Sequence, residues 1–304
     1  MKRWVTLAGL AAAVLLAAGC GSSDVANVPD SVAPGSARFL ASAATRSTAT
    51  PSMKTDLIVT MLSSQLPGGR MELSATGALD NENHRMSMRL DMSKLLAQLG
   101  TAMPGAAMGS AADWVGQEVA DFSNGQAVMY LNMPVLAKVL PGGKPWIKVD
   151  LSAVGKQAGI DLSQFTQLGT DPSRMVDWLR TVSGDVTTVG TEQIDGVETT
   201  HYRATVDLSK YPDLVPADQR EAVRKALDQL TKTAHLSSFP VHVWVGKDGL
   251  VRQVRAVLTE TIQGQTMNVM TTERFYDFGA PVDIQLPSDD QVTDISSMAG
   301  AAAG

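Results

Sequence analysis

The sequence contains a single cysteine, Cys20, among its 304 residues. One cysteine cannot form a disulfide within the chain, and it excludes a cysteine-rich zinc site. Cys20 follows an apolar N-terminal run, a position typical of export and anchoring. If Cys20 is used as an anchor, no thiol remains to act as a nucleophile.

Recognisable catalytic patterns are also absent from the sequence. It has no G-x-S-x-G, H-E-x-x-H, Walker-type or G-x-G-x-x-G motif. Its four histidines are widely separated, with no two at the helical spacing of metal ligands, and each is interpreted as an exposed or hydrogen-bonded strand residue. These histidines are His84, His201, His235 and His242. We therefore expect no catalytic residue, no metal site, no cofactor and no enzyme activity.

Positive charge is scarce. The chain has 25 basic and 31 acidic residues. Without Lys2 and Arg3 of the apparent signal sequence, the net charge falls from −6 to about −8. Such a balance disfavours nucleic acid as a partner and gives no general attraction to anionic lipid surfaces.

The N-terminus has the pattern of an export signal. Lys2 and Arg3 precede an apolar run over residues 4–18, which is short for a transmembrane helix. The run ends in Leu-Ala-Ala-Gly-Cys at residues 16–20, which resembles the lipobox of bacterial lipoproteins, although Ala17 stands where a leucine is common. The resemblance implies a signal peptide over residues 1–19 and acyl chains on Cys20. An ordinary secretory signal with an incidental cysteine is the alternative.

The remaining chain is interpreted as one tethered domain. Residues 20–35 are small, polar and interrupted by prolines, as in a flexible tether with a mean span of roughly 20 Å. No change in composition divides residues 36–287, so we expect a single domain there. Residues 288–304 are predicted to form a disordered tail.

The clearest secondary-structure signal is a period of two in apolar residues, which predicts strands with one dry and one wet face. Three consecutive strands are predicted, over residues 240–246, over 250–262, and after a turn at residues 263–264. Val251 is placed on the polar face of the second, and Met267, Val269 and Phe275 share one face of the third. A similar group is predicted over residues 53–62, 71–79 and 84–92, with a turn at residues 80–83. Shorter strands are predicted at 127–131 and 146–150, and a hairpin at 185–208 around Asp195-Gly196.

Helices are predicted between these strands. A short one is expected over residues 36–47, another over 134–140, and two more from Asp171-Pro172 and from Pro216. Residues 100–112 are rich in Gly, Ala and Met and carry no charge, so they are interpreted as a loop, either a disordered insertion or a lid. Long antiparallel strands with helices on one side define an α+β domain.

Methionine is abundant, with 15 residues in the chain. Methionine fills irregular gaps and lines adaptable apolar pockets. Long strands, few aromatic residues and inward-facing methionines favour an apolar ligand cavity, against the alternative of an ordinary filled core. The candidate lining residues are Leu57, Val59, Met61, Met71, Leu73, Met86, Met88, Leu90, Val254, Leu258, Met267 and Val269.

Two C-terminal segments add a family resemblance. These are V-H-V-W-V-G-K-D-G-L-V-R at residues 241–252 and F-Y-D-F-G-A-P-V-D-I-Q-L-P at residues 275–287. Together with the export signal, the hairpin at Asp195-Gly196 and the helix before the last three strands, they resemble the actinobacterial lipoproteins of the LppX/LprG type. That group shares its fold with the LolA-like periplasmic lipoprotein carriers. The resemblance implies a half-open antiparallel β-barrel with helices packed on its concave side, and no catalytic residues.

The resemblance also implies a function. We expect a lipoprotein on the outer face of the plasma membrane, held there by acylated Cys20, that carries acyl chains of a lipid, glycolipid or lipoglycan and works with an export or transporter partner. The alternative is a non-enzymatic binding or sensor lipoprotein of the same fold with a filled interior. A hydrolase is a more distant alternative, because the sequence offers no nucleophile and base.

Overall fold

The computed structural model describes residues 37–64, 66–102, 109–123, 127–137, 143–153, 186–214, 217, 220–262 and 265–296. Its strands are β1 (Ser52–Leu62), β2 (Arg70–Asp80), β3 (Arg85–Asp91), β4 (Val115–Asp121), β5 (Val128–Asn132), β6 (Trp146–Asp150), β7 (Thr187–Ile194), β8 (Val197–Asp207), β9 (Ser238–Gly246), β10 (Val251–Ile262), β11 (Gln265–Tyr276) and β12 (Val292–Asp294). Its helices are α1 (Ala37–Thr48), α2 (Ser93–Ala102), α3 (Pro134–Ala137) and α4 (Arg220–Ala234).

All twelve strands form one sheet, in the order β12-β6-β5-β4-β3-β2-β1-β11-β10-β9-β8-β7. Neighbouring strands are antiparallel except for the short parallel pair of β12 and β6. The sheet is open, with β12 and β7 at its edges. The predicted fold class, an α+β domain built on a half-open antiparallel sheet, is confirmed.

Local chemistry explains the turns that set the register. Asp195 and Gly196 join β7 to β8 with φ of 48° and 81°. Two consecutive positive φ values are typical of the two-residue hairpin turns that match strand twist. The predicted hairpin at Asp195-Gly196 is therefore confirmed. Gly249, with φ of 77°, lies in the turn that joins β9 to β10, two of the predicted consecutive strands.

One face of the sheet carries the buried core, and we call it the inner face. Its first cluster centres on β1, β2 and β3 and contains Met53, Ala75, Leu79, Met86, Met88 and Ala120. In the second, Leu40 and Ala43 of α1 pack with Tyr202 of β8 and Val245 of β9. A third cluster forms where the segment after α4 brings Leu236 against Phe239 and Ala256.

A β-bulge corrects the prediction for Val251. The register between β9 and β10 shifts between Val251 and Gln253, so Val251 pairs with Val245 and Gln253 pairs with Trp244. A bulge places an extra residue on one strand and thereby reverses the faces of the residues before it. Val251 is therefore buried on the inner face, whereas strict alternation had placed it on the polar face.

The C-terminal prediction is wrong in part. Residues 288–304 were expected to be disordered, but β12 lies within them and pairs with β6. The Lys144 ammonium donates to the carbonyl oxygen of Val292 at 2.9 Å, and the Asp150 N–H donates to Ser296 Oγ at 2.9 Å. A strand of three residues is too short to show a period, and it depends on these long-range contacts.

The region around the predicted loop over residues 100–112 also differs from expectation. Helix α2 extends to Ala102, and Leu95 within it is buried. A 3-10 turn over Ala111–Trp114 is closed by the Asp113 carboxylate, which accepts the N–H of Ser110 at 2.8 Å. Strand β4, which follows this turn, was not predicted. Residues 103–108, the predicted helix from Asp171, and residues 138–142 lie outside the described residues.

Candidate functional site

The strand register places all twelve predicted lining residues on the inner face. Leu57 of β1 pairs with Ala75 of β2, which pairs with Leu90 of β3. On the other side of β1, Leu57 pairs with Glu273 of β11, which pairs with Val254 of β10. Alternation along each strand brings the other candidates to the same face. Whether they contact a ligand stays a prediction.

These side chains differ in how far they are enclosed. Four are buried: Val59, Met61, Met86 and Met88. The other eight keep part of their surface exposed: Leu57, Met71, Leu73, Leu90, Val254, Leu258, Met267 and Val269. Partly exposed apolar side chains on one face offer an alkyl chain a contact surface. Burying such a surface is favourable by about 25 cal/mol per Å². The arrangement therefore suits an apolar ligand.

Met88 shows that part of the inner face is already close-packed. A Cβ atom at Gly77, its partner on β2, would lie 2.5 Å from the Met88 sulfur and would overlap the carbonyl oxygen of Ser87. Glycine thus leaves the space that the methionine side chain occupies. This position is filled by the protein itself and has no room for a ligand atom.

Carboxyl groups interrupt the apolar inner face. Glu273 of β11 is 6% exposed and accepts a hydrogen bond from Thr55 Oγ1 at 3.0 Å. Burial raises the pKa of Glu273 to about 7, and the bond from Thr55 opposes that rise. Glu118 of β4 is 8% exposed, and burial raises its pKa as well. Burial also raises the pKa of Glu260 on β10. These groups are therefore more often neutral near pH 7 than exposed carboxyls are.

Sequence reasoning missed these carboxyls. Glu273 has the same parity as Met267, Val269 and Phe275, so the period of two could have placed it on the inner face. Glu118 had no such signal, because β4 has Gly116 and Ala120 on that face and lacks a clear apolar alternation.

The opposite face of the sheet, which we call the outer face, carries a hydrogen-bonded chain of Glu192, His201 and His242. The Glu192 carboxylate lies 2.8 Å from His201 Nδ1 and accepts the Trp244 indole N–H at 3.1 Å. His201 Nε2 lies 2.8 Å from His242 Nδ1. The His201 ring stacks on Trp244 with centroids 4.1 Å apart. Two histidines that are 41 residues apart in sequence are thus neighbours in the sheet.

The electrostatics of this chain favour a neutral His242. Burial is the main cause that lowers the pKa of His242, and His201, Arg203 and Arg255 lower it further. The bonds from Trp244 and His201 hold the pKa of Glu192 below its usual value. The contact between His201 and His242 could not be predicted from the sequence, because the local pattern does not show which strands pair.

The described residues give no support for a hydrolytic or metal centre. In that part of the chain, neither His201 nor His242 forms a hydrogen bond with a hydroxyl or thiol group that could act as a nucleophile. No group of three or more His, Cys, Asp and Glu side chains among them is arranged to hold a metal ion. No helix in those segments has the length and hydropathy needed to cross a bilayer.

Comparison with known protein families finds no match. A curated relative, an uncharacterised 31.2 kDa protein in the rplA-rplJ intergenic region of Streptomyces griseus, is 30% identical over 175 residues, which are 56% of this chain and 54% of that protein. The chain thus matches about half the length of this relative.

Two solved structures have a similar arrangement. The Mycobacterium tuberculosis lipoprotein LppX is 13% identical, with a TM-score of 0.41 over 81% of this chain and 98% of its own. LprF from Mycobacterium bovis is 15% identical, with a TM-score of 0.38 over 84% of this chain and 98% of its own. LppX gives its name to the group that the sequence resembles. Similarity of this size transfers no function.

Proposed function

We propose that the chain is an extracytoplasmic lipoprotein that binds acyl chains of a lipid or lipoglycan on its inner face. The observation that carries the proposal is the set of eight partly exposed apolar residues on β1, β2, β3, β10 and β11, which the register places on one face of the sheet. Burying such a surface against an alkyl chain releases water from both, at about 0.8 kcal/mol for each buried CH₂ group.

The chemistry of the site supports a carrier more than an enzyme. The face combines leucine and valine side chains with methionines, whose unbranched thioether side chains adapt to ligands of different shape. Burial raises the pKa of Glu118 and raises that of Glu273 to about 7, so these carboxyls interrupt the apolar surface less than fully ionised ones would. A lipobox-like N-terminus would keep such a protein at the membrane, where its ligand is.

The alternative is a binding or sensor lipoprotein whose interior is filled by its own side chains. The close approach of Met88 to Gly77 favours this alternative locally. The two functions differ in ligand content: a carrier holds lipid in a fixed ratio to protein, whereas a filled interior holds none.

Organic extraction of the purified chain, followed by mass spectrometry, tests the proposal. We expect one class of acyl-bearing molecule at close to a whole-number ratio to protein, in addition to the chains attached to Cys20. Because attached chains stay on the protein during a mild extraction, they do not confuse the measurement. An extract without lipid from native preparations would reject the carrier function and favour the filled interior.

A further inference from the structure

A row of basic side chains crosses the outer face next to the Glu192–His201–His242 chain. Arg203 of β8 pairs directly with His242 of β9, and His242 pairs directly with Arg255 of β10. Residues directly opposite one another on neighbouring antiparallel strands have Cβ atoms about 5 Å apart. The three basic side chains are therefore adjacent on one surface.

The two arginines have spare hydrogen-bond donors. Arg255 donates its Nε–H to Thr272 Oγ1 at 3.3 Å, and its guanidinium lies 5.2 Å from the centre of the Trp244 ring. These contacts hold the group in place and leave its terminal nitrogens available. Arg203 is exposed. Among the described residues, no carboxylate forms an ion pair with either arginine.

The hydrogen-bonded chain fixes the orientation of His242. The Glu192 carboxylate can only accept, so His201 donates its Nδ1–H to it. His201 Nε2 then has a lone pair and accepts the Nδ1–H of His242. The remaining nitrogen of His242, Nε2, is left at the free end of the chain, and it becomes a donor when the ring is protonated.

We propose that Arg203, His242 and Arg255 form a binding site for a phosphate group on the outer face. The guanidinium group presents paired donors that match phosphate oxygens. The two guanidinium groups flank His242 on one surface and repel each other, and an anion bound between them would reduce that repulsion. The phosphate can belong to a free ion or to a phosphodiester lipid headgroup. The site lies on the face opposite the acyl-binding surface, so it does not depend on the proposed function.

The site also predicts a pH dependence. His242 faces His201 and Arg203 from β8, Arg255 from β10 and Glu192 from β7. Burial and the neighbouring basic groups keep it neutral at neutral pH. Protonation at lower pH adds a third positive charge and a third donor, so the affinity for phosphate rises as the pH falls.

Calorimetric titration of the full chain in detergent tests this site. The probes are inorganic phosphate and glycerophosphoglycerol, a phosphodiester whose single charge stays constant between about pH 5 and 8. We expect saturable binding that Arg203→Gln weakens about tenfold, the effect of losing one charge-assisted hydrogen bond. Arg255→Gln should act in the same direction. Arg89→Gln, an exposed arginine on the same face of β3, should leave the affinity unchanged.

The outcomes separate the sources of the phosphate. Binding of both probes, with the diester binding more tightly at pH 5.5 than at pH 8, assigns the site to a headgroup. Binding of inorganic phosphate alone assigns it to the free ion. If neither probe binds at millimolar concentration, the site does not exist. The same conclusion follows if Arg203→Gln and Arg89→Gln change the affinity equally, provided that all variants melt like the unmodified protein.

Discussion

At the scale of single residues, Glu273 shows how a carboxyl is tolerated on an apolar face. It is 6% exposed and has one hydrogen-bond partner, Thr55. Burial disfavours the charged form, so the group takes up a proton at a higher pH than an exposed glutamate does. The protein thereby keeps a polar atom on the inner face with little charge.

This residue makes stability depend on pH in a defined window. The pKa of Glu273 is about 7 in the folded chain and 4.5 for the unperturbed group. The folded state therefore binds more protons between these values, and stability falls as the pH rises from 4.5 to 7. The loss is on the order of 3 kcal/mol.

Glu273→Gln should remove that loss while its amide oxygen still accepts the bond from Thr55. Urea unfolding of both proteins between pH 4.5 and 8 measures the difference. We expect the variant to gain stability over the unmodified protein as the pH rises. A constant difference across this range would show that Glu273 titrates normally.

Gly77 and Met88 form the tightest contact on the inner face. A Cβ atom at position 77 would overlap the backbone of Ser87, which cannot move aside without breaking the β2–β3 ladder. Gly77→Ala should therefore cost roughly 1–3 kcal/mol or more in thermal or urea unfolding. Gly190→Ala on β7, where a Cβ meets nothing within 4 Å, is the matched control and should be near neutral. Equal effects would contradict the close packing of Met88.

At the scale of elements, helix α1 is fixed to the sheet through the bulge. Ser47 Oγ donates to the Ala43 carbonyl at 2.8 Å and accepts the N–H of Val251 at 2.9 Å. Val251 lies where the register between β9 and β10 shifts, and the helix supplies an acceptor for its N–H. Both the serine and the valine are buried, so the bond has no substitute from water.

Ser47→Ala should cost about 1–3 kcal/mol, because it leaves a buried N–H unsatisfied. Thr48→Ala removes a hydroxyl that bonds only to carbonyls of its own helix, and it should cost less. Urea unfolding of the two variants makes the comparison. If both cost the same, the serine acts within α1 alone and does not fix it to the bulge.

The elements that sequence predicted are those with a strong local pattern. Strands β1, β2 and β3 alternate cleanly, and the Asp-Gly pair at residues 195–196 favours the positive φ angles of a two-residue hairpin turn. Strand β4 was missed because Gly116 and Glu118 occupy its inner face, and β12 because three residues show no period. The pairing of β8 with β9, which joins His201 to His242, depends on residues far apart in sequence and cannot be derived from alternation. The twelve lining candidates share a face because alternation is local, but their exposure depends on what packs over them.

At the scale of the whole molecule, the acyl-binding account requires the domain to work at a membrane. Cys20→Ala should move the protein from the membrane fraction to a precursor or secreted form, since two acyl chains hold a protein stably and none leaves an acidic, soluble domain. Cell fractionation with immunodetection measures this. A processed chain that stays fully at the membrane would show that Cys20 is not the anchor.

The central claim is that the partly exposed part of the inner face holds an acyl chain. Leu57 packs against the first core cluster on one side and keeps part of its surface exposed, so the larger ring of Leu57→Trp should extend from the exposed side into ligand space. Met88→Trp, at a buried and filled position, is the control and should lower stability by roughly 1–3 kcal/mol.

The most direct test is the amount of lipid extracted per chain from Leu57→Trp and from the unmodified protein, with melting temperatures taken on the same samples. If the partly exposed inner face holds an acyl chain, Leu57→Trp should lose most of the lipid and melt nearly as before. Lipid content that is unchanged, or a fall in melting temperature with no lipid in either protein, would contradict it.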